Sequence, residues 1–95
     1  MSNDWQDTLE FARDFRHQLH AQPELSWQEN NTTEAIRTEL NRLDIRWRTC
    51  TKTGTVALIN ESGTTPAIAL RADIDALPIH ETSGVAWASE TEGCM

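Results

Sequence analysis

The sequence predicts an α/β fold in which two helices precede a set of strands, and three observations carry that reading. Apolar residues recur at steps of three and four over residues 4 to about 21. A Ser-x-x-Glu signal then opens a second stretch of the same kind. From Ile45 onward the pattern changes to short runs rich in β-branched and aromatic residues, punctuated by Gly and Pro.

In the first stretch Trp5, Leu9, Ala12, Phe15 and Leu19 fall on one stripe at 3.6 residues per turn. Asp4 and Asp7 suit a helix start. Arg13, Arg16, His17 and His20 gather toward its end, as the macrodipole favours. Pro23 disfavours helical backbone at Gln22 and closes the segment. Ser26-Trp27-Gln28-Glu29 matches a capping box, with Ser26 bonding the Glu29 N–H and Glu29 reaching back to Ser26. The second helix is expected to run to about Leu43, with Thr32, Ile36, Leu40 and Leu43 as a narrower apolar face.

Ile45, Trp47 and Thr49 alternate with Arg46 and Arg48, the signature of a half-exposed strand. After Thr53-Gly54, residues Thr55 to Ile59 form a denser apolar run. Asn60 to Pro66 carries turn chemistry. Ala67-Ile68-Ala69-Leu70 has no polar residue and is expected to be a third strand, central and covered on both faces. From Leu77 to Met95 no period survives, and Pro78, Gly84 and Gly93 mark a long irregular region.

With 95 residues the chain fits one compact domain or a piece of a larger one. Its net charge of -7 and a single lysine, Lys52, make nucleic acid and anionic membrane surfaces poor partners. Cys50 and Cys94 lie far apart and form no CxxC, and a disulfide framework would need more of them. Three Asn-x-Ser/Thr triplets, at Asn30, Asn31 and Asn60, match glycosylation sequons. The opening MSNDWQDTLE shows no basic-then-apolar entry signal, however, and no run approaches the ~20 apolar residues of a membrane span. The expectation is a cytoplasmic protein.

The chemistry concentrates in "AIALRADIDALPIHETSG", where an apolar run meets Asp73 and Asp75. Residues two apart on a strand point to the same side, about 6.6 Å from each other. Carboxylates at a strand end can bind hard cations or orient a metal-bound histidine, and an Asx-type turn into Pro78 explains the same residues. A calcium loop is excluded, because Leu77 and Pro78 stand where that pattern requires an Asp or Asn and a Gly. His17-x-x-His20 reads as two helix-terminal histidines, His80 as a polar loop residue and Cys94 as a simple thiol. The chain has no GxSxG, no phosphate-binding glycine loop and no HExxH.

Several motifs in order nevertheless resemble one family. "FRHQLHAQPELSWQENNTTEAIRTEL", "TKTGTVALI", "IALRADIDALPIHETSG" and "ASETEGCM" are together similar to the amino-terminal part of the N-acyl-amino-acid amidohydrolases. That family includes hippurate hydrolase, N-acetyldiaminopimelate deacetylase and the auxin-conjugate hydrolases, and the resemblance covers roughly residues 9 to 95. It implies a metallopeptidase catalytic domain with a mixed, mostly parallel sheet. It also implies a parent enzyme, commonly a homodimer, that uses two divalent ions (Zn or Mn) to hydrolyse N-acyl amino acids to a carboxylate and a free amino acid.

By the same resemblance Asp75 matches an aspartate that orients a metal-bound histidine, and Asp73 stands on the rim, where relatives in other branches carry that histidine. Met95 matches the first residue of a segment reading MHACGHD, so Cys94 is not the family's metal-ligating cysteine. The resemblance thus implies that residues 1–95 are a partial catalytic domain ending before the metal-ligand segment, with no second domain. No metal is then expected within the chain, nor activity from it alone. The competing expectation is an inactive remnant or a small acidic protein-binding module.

Overall fold

The computed structural model describes residues 4–60, 63 and 66–95. Its elements run α1 (Asp4–Ala21), α2 (Asn30–Arg42), β1 (Arg46–Cys50) and β2 (Gly54–Leu58), so the helix–helix–strand–strand order expected from the sequence is present. Most of the turn expected over residues 60–66, including Glu61 and Ser62 of the Asn60 sequon, lies outside the described residues.

α1 spans the expected residues, yet none of its side chains is buried. Phe15, Leu19 and His20 toward its end are half-buried, while Trp5, Leu9 and Phe11 face solvent. Phe11 and Phe15 stack with ring centroids 5.9 Å apart, and the Arg42 guanidinium lies 5.3 Å from the Phe11 ring. Only the carboxyl-terminal half of the amphipathic stripe has found a surface to cover.

α2 begins at Asn30, and the expected capping box does not form. Ser26 and Trp27 instead occupy a tight turn in which the Gln28 N–H donates to the Leu25 carbonyl at 2.9 Å, with Trp27 at a left-handed φ of 67°. Glu24, from the preceding segment, does the capping. Its carboxylate accepts the N–H groups of Asn31 (3.1 Å) and Thr32 (2.6 Å) and the Thr32 hydroxyl (2.7 Å). A carboxylate that accepts three donors at the helix start takes the place of the single acceptor that the Ser26 hydroxyl offers. Glu29 turns away and accepts from the Thr53 hydroxyl at 3.2 Å. The helix ends in a Schellman motif: Ile45 N–H bonds Leu40 O at 2.9 Å, Asp44 N–H bonds Asn41 O at 3.0 Å, and Asp44 holds a φ of 57°.

β1 and β2 form an antiparallel ribbon paired from Arg46↔Leu58 to Cys50↔Gly54. The turn between them requires a glycine, because a Cβ on Gly54 would stand 2.4 Å from the Cys50 carbonyl oxygen. α2 holds the ribbon through polar contacts. Thr33 donates to Thr53 O at 2.7 Å, and Arg37 donates to Thr55 Oγ1 (2.8 Å) and Gly54 O (2.9 Å). The Arg37 guanidinium also lies 4.6 Å from the centre of the Trp47 ring.

The expected mostly parallel sheet is not formed. The sheet has two strands, both in the antiparallel ribbon, and the parallel pairing among the described residues is one bridge, Leu25↔Ala76. The expected third strand, Ala67 to Leu70, is unpaired and exposed rather than central and covered. A strand buried on both faces is stable only where neighbours bond its edges and layers cover its faces, and nothing among the described residues does either.

Burial follows the same rule. Cys94 is the buried apolar residue of the described chain, accompanied by buried Glu29, Thr32, Thr33 and Thr53. The accessible surface is 7730 Å². A complete globular domain of this mass exposes roughly 5,500 Å². The radius of gyration of 15.6 Å likewise exceeds the roughly 12 Å of a closed domain this long.

Candidate active-site rim

Asp75 is placed by backbone pairing on its carboxyl side. The Ala76 N–H donates to the Glu24 carbonyl at 2.8 Å, within the bridge that sets Leu25 beside Ala76. One residue later, Leu77 and Met95 exchange two backbone hydrogen bonds of 2.8 and 2.9 Å, closing residues 77–95 into a loop with its neck next to Asp75. The region expected to be irregular is therefore a closed loop, of the kind in which short surface segments pack on their own side chains.

Two clefts meet at this point. One of about 400 Å³ is lined by Arg16, Leu19 and His20 of α1 together with Asp75, Ala76 and Met95. The other, of about 280 Å³, is lined by Trp27, Glu29, Thr53, Arg71, Asp73 and Asp75. The two aspartates thus share one cleft, and Asp75, with Ile74, borders both. Asp73 accepts from the Arg71 guanidinium at 3.0 Å, an exposed pair of the kind that adds little to stability.

The loop is fastened to α1 by Glu81. Its side chain is 4% exposed and accepts from three donors: His20 Nε2 at 2.8 Å, the Ser89 N–H at 2.7 Å and the Ser83 hydroxyl. A carboxylate can only accept, so His20 carries its hydrogen on Nε2. The Ser83 hydroxyl, then the Ser89 N–H, overcome the opposing effect of burial. With help from His20 they hold the Glu81 carboxyl down at about 2. Alongside, His17 stacks on Trp87 with ring centroids 3.8 Å apart, and the Glu90 N–H donates to the Ala21 carbonyl at 2.8 Å. Burial, then the neighbouring Arg16 guanidinium, lower the His17 pKa. The two histidines read as helix-terminal residues therefore also anchor the loop. His80 is exposed, and Cys94 is a buried free thiol whose carbonyl accepts from Ser89 Oγ at 2.6 Å.

Sequence reasoning missed Glu81 and Glu24, whose roles depend on partners brought in by the fold. Glu81 meets His20 across sixty-one positions, and no short motif announces that. Glu24 caps a helix from outside the usual capping positions.

Among the described residues, no group of three or more His, Cys, Asp or Glu side chains converges as a metal site requires. Asp73 and Asp75 do not fit a resident ion by themselves.

No protein-family model matches the chain. Individual proteins do. The chain is 49% identical over 81 residues to the N-acetyl-L-cysteine deacetylase of Bacillus subtilis, a match covering 84% of this chain and 20% of that enzyme. It is 45% identical over 82 residues to an N-acetylcysteine deacetylase of the same organism, covering 84% and 22%. Among solved structures it is similar to the Bacillus subtilis YXEP protein, a dinuclear metal-binding peptidase of the M20 family. That match has a TM-score of 0.79 and 44% identity, and covers 86% of this chain and 23% of that one. The chain spans about a fifth of the length of these relatives.

Proposed function

We infer that this chain, a homologue of the M20-type amidohydrolases over about a fifth of their length, supplies one wall of the active site of an enzyme that hydrolyses N-acyl amino acids to a carboxylate and a free amino acid. The observation that carries the reading is the 49% identity over 81 residues to a deacetylase, which includes the segment holding Asp73 and Asp75 within an M20-like backbone. Asp75 is the positioning residue. It borders both clefts at a backbone-bonded neck, where its carboxylate can accept the N–H of an imidazole brought by the rest of the fold. Asp73, tied to Arg71, stays on the rim.

Two divalent ions, zinc or manganese, belong to this proposal as cofactors of the whole enzyme. Their ligands come from outside the described residues. The partner is a small N-acyl amino acid, and the whole enzyme is a homodimer. A cytoplasmic setting is supported by Cys50 and Cys94, both free thiols.

A chimera tests the proposal. The matched 81-residue stretch of the Bacillus subtilis N-acetyl-L-cysteine deacetylase is replaced by this chain's own. The chimera is expected to release cysteine from N-acetylcysteine. Asp75→Asn should lower turnover and metal affinity by about 10–100-fold, and Asp73→Asn by much less. A folded, metal-loaded chimera without hydrolysis, or equal effects of the two substitutions, refutes it.

A further inference from the structure

Two short segments beside Asp75 are closed into a ring. One runs from His20, in the last turn of α1, to Glu24, and the other from Ala76 to Glu81. At one end His20 Nε2 donates to Glu81 Oε1 at 2.8 Å; at the other the Ala76 N–H donates to the Glu24 carbonyl at 2.8 Å. Both sides of the ring are stiff. Pro23 fixes φ in the first. In the second, Pro78 sits within a tight turn whose Ile79 N–H returns to the Leu77 carbonyl at 2.8 Å. Asp75 is joined to the ring directly through its peptide bond to Ala76, and His20 and Asp75 line one cleft. The Glu81 corner is sealed: its side chain is 4% exposed and also accepts from the Ser89 N–H and the Ser83 hydroxyl. The loop meets α1 a second time, further from Asp75, where Trp87 stacks on His17.

We propose that His20 and Glu81 are positioning residues for the hydrolysis: by closing this ring they fix the backbone at Ala76, and with it the direction in which Asp75 presents its carboxylate. The proposal rests on the functional reading above, in which Asp75 orients an imidazole. Without the His20–Glu81 bond the two segments are joined at the Glu24–Ala76 bridge, which then acts as a pivot. A carboxylate that must meet an N–H at about 2.9 Å and near linearity tolerates little turning about such a pivot. Misplacement passes on to whatever the carboxylate holds, so a bond remote from the reacting atoms carries a cost in rate. The His17–Trp87 stack packs the far part of the loop and lies outside the ring, so it bears on stability and not on the aim of Asp75.

The test uses the deacetylase chimera with all 95 residues of this chain in place of the matched stretch. Glu81→Gln sets an amide NH2 against hydrogen-bond donors, and His20→Ala removes one donor. Each should lower kcat about 10-fold with KM unchanged. His20→Gln, which keeps an N–H at similar reach, should recover most of that loss. Trp87→Ala should lower the urea midpoint and leave kcat as it is. In an Asp75→Asn background Glu81→Gln should slow turnover no further, as expected of a residue that acts through another. In the metal-free chimera, exchange at the Ala76 amide should quicken in Glu81→Gln and His20→Ala but not in Trp87→Ala. Effects of Asp75→Asn and Glu81→Gln that multiply, an equal kcat loss in Trp87→Ala, no recovery in His20→Gln, or an unchanged Ala76 amide overturns the proposal. A chimera that binds zinc but hydrolyses nothing counts against the functional reading instead. Zinc affinity, measured by chelator competition, then takes the place of kcat in the same comparison, and an affinity unchanged by Glu81→Gln overturns the positioning role as well.

Discussion

His20 Nε2 lies 2.8 Å from Glu81 Oε1, joining the last turn of α1 to a loop sixty-one residues further along the chain. With the Leu77–Met95 pair it fixes a closed segment against the helix, and Asp75 sits at the neck of that segment. The polar hub and the backbone neck are thus two fastenings of one object.

The first expectation concerns pH. The folded Glu81 carboxyl is held at about 2, below its ordinary 4.5, chiefly by the Ser83 hydroxyl and the Ser89 N–H. A depressed carboxylate adds stability that is complete above 4.5 and lost as pH falls from there through about 2. Exchange at the Ser89 amide should be slow at pH 5 and should accelerate toward pH 2 beyond the intrinsic chemical trend. Glu81→Gln should show fast exchange at both. Equal protection in the two proteins would remove Glu81 from its role.

Glu24 should govern the helicity of α2. Burial pushes its carboxyl up, but the Thr32 hydroxyl and N–H and the Asn31 N–H outweigh burial and lower it below 4.5. Glu24→Ala should weaken the helix by about 1 kcal/mol, the usual worth of a cap. In a peptide covering residues 22–45, helical ellipticity should fall in the variant at pH 7. In the parent peptide it should fall only as pH drops below 4.5. Ser26→Ala should leave both curves unchanged, since Ser26 has no part in the cap.

Trp27 occupies a left-handed position that suits glycine, and its side chain is 57% exposed. Left-handed backbone costs a side-chain-bearing residue about 1–2 kcal/mol, and little packing offsets it here. Trp27→Gly should therefore raise, not lower, the urea midpoint of the active chimera. A lower midpoint would mean that the indole is held by contacts outside this chain.

Arg37 should prove irreplaceable by lysine. Its fork bonds Thr55 Oγ1 and Gly54 O while the guanidinium lies over Trp47, a geometry a point charge cannot reproduce. Arg37→Ala should cost about 2–3 kcal/mol and Arg37→Lys more than half of that, read in the same urea titration of the chimera. Full rescue by lysine would reduce the contact to simple charge.

Both helices and the two strands of the ribbon were legible in the sequence, because periodicity, turn chemistry and strand alternation act over a few residues. Whether Ala67 to Leu70 becomes a strand is not a local matter. Its four residues read as a central strand, yet without neighbours to bond its edges it stays unpaired and exposed. The helix cap passed from Ser26 to Glu24, and the loop fastening fell to Glu81, because a carboxylate takes whichever donors the fold carries to it. Local pattern decided which segments would be helices and ribbon strands. Tertiary structure alone decided which carboxylates hold the chain together, since hydrogen bonds between residues far apart in sequence leave no periodic trace.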